Sequence, residues 1–187
     1  MTKMPLPFAV SLMIICMVIG LAAGYFLTPE YRLAMYDKNP MTLGTADRWI
    51  DQRYLNAMIA HHRGAMLLAE QAKKESKRSE IQELAAKILK DEPVAIAGLY
   101  DWKKTWYRDN RPVKDPAPIR LGTADATFDL RFLNALIAHH EAGLLMTKEI
   151  KLKSSRPEVL DNANAVETFL TTTLKVFKDW RSAWYKL

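Results

Sequence analysis

The feature that most constrains this chain is an internal repeat at one unchanging offset. Leu43-Gly44-Thr45-Ala46-Asp47 returns 78 residues later as Leu121-Gly122-Thr123-Ala124-Asp125. At the same offset Asn56-Ala57-Met58-Ile59-Ala60-His61-His62 returns as Asn134-Ala135-Leu136-Ile137-Ala138-His139-His140, and Asp101-Trp102 with Trp106-Tyr107 returns as Asp179-Trp180 with Trp184-Tyr185. A gapless offset over three motifs means that one supersecondary unit has been duplicated, here over residues 43–107 and 121–185. Between the copies, residues 108–120 hold Pro112, Pro116 and Pro118 and are expected to form a stiff, non-helical spacer.

Each unit reads as helix, short turn, helix. Leu55, Met58, Ile59, Met66 and Ala69 keep the three-, four- and seven-residue spacing of an amphipathic helix, and Leu133, Leu136, Ile137, Leu144 and Leu145 repeat it. Thr45 or Asp47 is placed to cap the first helix. Polar turns at residues 76–79 and 154–157 precede the returning helices, in which Pro93 is expected to cause a kink or break near Asp91, because proline lacks the amide donor. A hairpin with one apolar stripe cannot bury it alone. Two stacked face to face predict an all-α fold, a four-helix bundle with pseudo-two-fold symmetry, in which equivalent residues converge. Trp102, Trp106 and Tyr107, with Trp180, Trp184 and Tyr185, are expected to close the bundle ends rather than form a membrane-interface belt.

Residues 8–27 carry no charge and are long enough to span a hydrocarbon core, with Lys3 before them and Glu30 and Arg32 after. Residues 1–30 are therefore expected to be an uncleaved signal anchor, a single transmembrane helix of the inner membrane, with everything after it in the periplasm or outside the cell. The net charge of +6 falls on the remainder. Its basic residues alternate with acidic ones, as in Lys73, Lys74, Glu75, Lys77, Arg78 and Glu80, which suits a solvated helix face and argues against nucleic acid as a partner. Cys16, the only cysteine, lies in the apolar run, so neither a disulfide nor a thiolate metal cluster can form within one chain.

All four histidines belong to the two repeated pairs, His61-His62 and His139-His140. Projection at 100° per residue puts His62 on a face with Asp51, Met58, Ala65 and Met66, pointing to the core, and His61 on the flank with Tyr54 and Leu68. In the second copy His140 lies near Asp129, Leu136 and Leu144, and His139 near Phe132 and Met146. Imidazole nitrogen with thioether sulfur is a ligand set for copper. The candidate metal ligands are thus His61, His62, His139 and His140, with Met58, Met66 and Met146. A carboxylate such as Asp51 or Asp129 could orient an imidazole only from a neighbouring helix, since ten or eleven residues along one helix separate it by about 15 Å. Neither a Glu-x-x-His di-iron spacing nor a His-Glu-x-x-His zinc helix is present.

Met58-Ile59-Ala60-His61-His62-Arg63-Gly64-Ala65, with Asp51 ahead and Trp102 closing the unit, resembles the domain of unknown function 305 (DUF305) family across residues 43–185. The resemblance implies a ferritin-like bundle, exported copper binding, and the four histidines as ligands. It also matches Met146 to a methionine that family members carry six residues after the second His; Leu68 stands there in the first copy. Further on, Ala95-Ile96 with Leu99, and Thr173-Leu174 with Phe177, replace a Glu-Ile and a Met that the family often has before the Trp.

The function expected is that of an exported, membrane-anchored metal-binding protein, for copper, acting in binding, storage or delivery. The alternative is an interaction or scaffold module for an envelope protein partner, with structural or pH-sensing histidines. An enzyme is the weaker class, because no nucleophile with a base, phosphate loop or catalytic carboxylate pair is seen. A redox metalloenzyme would in addition need an open coordination position.

Overall fold

The computed structural model describes residues 42–187; the expected transmembrane helix over residues 8–27 lies outside them. The described part is all-α and consistent with a four-helix bundle: α1 (Ile50–Glu75), α2 (Ser79–Tyr107), α3 (Phe128–Lys151) and α4 (Pro157–Tyr185), with no strand among the described residues. None of these helices is long and apolar enough to cross a membrane.

The hairpins α1–α2 and α3–α4 meet chiefly along a seam between α1 and α3. Tyr54, Met58, Ala65, Leu68 and Ala72 are buried on α1, and Phe132, Leu136, Gly143, Met146 and Ile150 on α3, at spacings of three, four and seven that form a single stripe. The two helices run antiparallel. Asp51 at the start of α1 pairs with Arg156 beyond the end of α3 (3.2 Å), and Asp129 at the start of α3 pairs with Arg78 beyond the end of α1 (3.5 Å). Each guanidinium also lies over a tryptophan, Arg156 over Trp106 at 4.2 Å and Arg78 over Trp184 at 4.1 Å. These two symmetry-related clamps tie one hairpin to the other. Asp51 and Asp129 are therefore used in the clamps at the two ends of the α1–α3 seam.

Pro93 does not break its helix, and α2 runs through it unbroken. The proline ring faces solvent, where water can satisfy the one carbonyl it deprives of a donor, so the cost stays local. The capping expectation also changes. Neither first helix has a side-chain cap at its N-cap residue, Trp49 or Thr127. Instead Asp47 accepts from the Trp49 amide (2.8 Å) and Asp125 from the Thr127 amide (2.8 Å), each in a turn just before the helix.

The repeated Leu-Gly-Thr-Ala-Asp motif is a cradle for an arginine. Arg53 Nε donates to the Leu43 carbonyl (2.6 Å) and Nη2 to the Thr45 carbonyl (2.5 Å), while Arg131 does the same with Leu121 (2.6 Å) and Thr123 (2.9 Å). Turning both carbonyls towards one guanidinium requires a left-handed residue between them, and Gly44 and Gly122 supply it at φ 77° and 80°. Replacing Gly44 with alanine is expected to lower stability by ~1 kcal/mol, read from the denaturant midpoint, because an L side chain resists this conformation.

Candidate metal centre

The histidine pairs sit close to the midpoints of α1 and α3. When two helices are related by an axis perpendicular to their length, only mid-helix residues meet their own counterparts. The rings of His61 and His139 accordingly stack, with centroids 3.8 Å apart and planes 5° from parallel. His62 and His140 flank the stack edge-on, with centroids 6.3 Å and 6.1 Å from the neighbouring ring.

His61, not His62, belongs to the buried stripe: it is 8% exposed, in line with Tyr54, Met58, Ala65 and Leu68. The orientation expected from the helical projection is thus reversed in the first copy. His62 turns instead to α2, where its Nδ1–H donates to the Glu92 carboxylate. In the second copy His140 is buried as expected, edge-on to Phe177 at 4.9 Å. Its Nδ1–H donates to the Leu136 carbonyl at 3.0 Å.

All four imidazoles line one cavity of about 290 Å³ with Glu92, Phe169 and Leu170 among the other wall residues. Burial drives three of them to the neutral form. His61 is held well below its ordinary pKa of 6.5, first by desolvation and then by the positive charge its three neighbours would carry. Desolvation, with His140 and His62 nearby, brings His139 down to about 3. His140 falls to about 4, desolvation outweighing its bond to Leu136 and the attraction of Glu92.

The Nε2 atoms of His139 and His140 are buried with no hydrogen-bond partner. For His140 the bond at Nδ1 fixes the tautomer, so Nε2 carries a free lone pair, while His62 is held at Nδ1 by Glu92. Neutral imidazoles with bare, buried lone pairs are the donor chemistry a transition metal requires. As placed, however, the rings are not converged on a point: among the described residues no group of three or more His, Cys, Asp or Glu forms a ready metal site. The parallel stack of His61 and His139 keeps those two rings side by side.

The methionines lie elsewhere. Met58 and Met146 are fully packed in the apolar interior, 0% and 1% exposed, and line no part of the cavity. Met66 faces a separate shallow pocket with Arg63, Glu70, Pro93 and Asp115. Glu92 was not foreseen, although hairpin geometry could have found it. The α1–α2 turn is centred on residue 77, and reflection about that point sets residue 92 opposite residue 62.

Residues 51–119 match the family model described as "Domain of unknown function (DUF305)". No curated protein matches the chain. The fold is similar to the solved structure "CopM in the Cu(I)-bound form", with TM-score 0.65 and 29% identity, over 74% of this chain and 99% of that one. It is similar also to "CopM in the Cu(II)-bound form", with TM-score 0.61 and 26% identity, over 72% and 97%. A DUF305 fragment from Deinococcus radiodurans shares the fold at TM-score 0.56 and 17% identity, over 77% of this chain and all of that one. The family match thus falls on the first repeat and the spacer after it, and the second copy repeats the same unit 78 residues on.

Proposed function

We propose that the chain is a metal-binding protein of the exported, membrane-anchored kind, holding copper between its two histidine pairs for binding, storage or delivery. Residues 8–27 would supply the anchor to the inner membrane, leaving the helical domain on the outer side. The observation that carries the reading is the pair of unsatisfied imidazole nitrogens at one cavity lined by all four histidines: Nε2 of His139 and Nε2 of His140 have no partner. A buried polar atom without a partner costs about 1–3 kcal/mol. A bound ion would remove that cost for both atoms at once. The similarity to CopM, whose structures include Cu(I)-, Cu(II)- and Ag-bound forms, agrees with copper as the ion.

Ligation would require the stacked rings to turn about their side-chain bonds, since the parallel arrangement of His61 and His139 directs no two nitrogens to one point. That same stack is what favours the second reading, an envelope scaffold in which the histidines only pack. Titration of the full chain in detergent with Cu(I) and Cu(II) separates the two. Stoichiometric binding is expected, and it should disappear when His61, His62, His139 and His140 are all changed to alanine while helicity by circular dichroism is retained. A wild-type chain that takes up neither ion would leave only the scaffold.

A further inference from the structure

The wall of the histidine cavity holds nitrogen and oxygen donors and no sulfur. Met58 and Met146 are packed away in the interior and Met66 lines a different pocket. One carboxylate is engaged with the histidines, that of Glu92, 16% exposed and bonded to His62. Asp91 also borders the cavity, but it is half exposed and paired with Lys87 at 2.5 Å. The second repeat carries nothing comparable, because Phe169 and Leu170 stand at the positions equivalent to Asp91 and Glu92. The cavity therefore has a single engaged negative charge on one wall and an apolar surface on the other.

Resting on the metal-binding reading above, we infer that Glu92 makes this a site for a divalent ion, Cu(II) or Zn(II), in preference to Cu(I) or Ag(I). Two physical arguments agree. Imidazole with carboxylate is the borderline-to-hard donor set that divalent first-row ions accept, whereas the monovalent ions gain most from thioether or thiolate sulfur. In addition, a fixed negative charge in a poorly hydrated cavity attracts a doubly charged ion twice as strongly as a singly charged one at the same distance. Glu92 acts on the ion through His62 as well. By accepting the Nδ1 proton it fixes the tautomer that presents Nε2, and it raises the basicity of that nitrogen.

The test measures affinities of the full chain in detergent for Zn(II), Cu(II) and, with a reductant under nitrogen, Cu(I), each against a chromophoric competitor. The wild type is expected to bind the divalent ions. Glu92→Gln keeps the shape and the oxygen acceptor but removes the charge, and it should weaken Zn(II) and Cu(II) about 10- to 100-fold. Cu(I) affinity should change by less than about threefold, since a neutral amide still orders His62. The hyperfine splitting in the electron paramagnetic resonance spectrum of bound Cu(II) should shift in the variant. Binding of Cu(I) without the divalent ions, or equal losses for all three ions in Glu92→Gln, would overturn the inference while leaving metal binding intact. A wild type that binds none of them would instead remove the metal-binding reading itself.

Discussion

Metal-free protein brought from pH 7 to pH 4 is expected to lose roughly 3 to 6 kcal/mol of folding stability, with the loss beginning near pH 6.5. Above pH 6.5 the buried imidazoles are neutral in both the folded and the unfolded chain, so they add no pH dependence. Below it the unfolded chain takes up protons that the folded interior refuses. His140 titrates at about 4 and His139 at about 3 in the fold, and His61 is also held well below 6.5. Stability is thus complete above 6.5 and drains away until the pH reaches those lower values. Each unit of separation is worth about 1.4 kcal/mol per group, and because the rings interact their contributions do not simply add. Domains of this size are stable by about 5–15 kcal/mol, so the loss is a large share of the total. Denaturant midpoints measured every half unit would trace it. A flat line between pH 7 and pH 4 would mean that the rings are accessible to water after all.

The three helical glycines among the described residues should respond to alanine in three different ways. At Gly143 an added Cβ would stand 2.7 Å from His61 Nε2, 2.8 Å from its Cε1 and 2.7 Å from Leu170 Cδ1. Alanine normally favours a helix over glycine by about 0.8–1 kcal/mol. Overpacking of a tight interior costs about 1–3 kcal/mol, and it wins at Gly143 because both obstacles are buried. The net loss should come with displacement of the His61 ring from its stack. At Gly64 the nearest atom is His139 Cε1 at 3.1 Å, so the two effects should nearly cancel. At Gly98 nothing lies within 4 Å, and Gly98→Ala should stabilise by ~1 kcal/mol. Thermal unfolding of the three variants checks the order Gly98→Ala above Gly64→Ala above Gly143→Ala; an equal gain in all three would contradict the close fit of α3 against His61.

The fold was legible because the repeat and the apolar spacing act at long and short range in the same direction. The fixed offset dictated two like halves, the three- and four-residue spacing dictated helices, and the midpoint position of His61 and His139 then left them no place but beside each other. The facing of the first pair was misread for a definite reason. The projection grouped His62 with Asp51 and Met66, and Asp51 turned out to be engaged in an end clamp with Arg156, not in the core. Tyr54, Met58, Ala65, Leu68 and Ala72 would have set His61 inward. The methionines are offered as ligands on the donor chemistry of sulfur and, for Met146, on the family resemblance; their helical spacing also describes ordinary interior packing, and Met58 and Met146 lie in that packing. Glu92 left no trace in any motif because its importance arises only when α2 folds back along α1. Of the two outcomes expected at Pro93, a kink or a break, the break does not occur, because a local rule counts the lost bond and cannot see that it faces solvent.

The antiparallel meeting of α1 and α3 has one more implication. Two separate, identical hairpins joined along this seam would have to show every side chain twice, once on each side of the axis, so an acid opposite one histidine pair would be mirrored opposite the other. Carrying both halves on a single polypeptide lifts that obligation. It is the covalent link through residues 108–120 that allows a glutamate to stand at position 92 and a leucine at position 170.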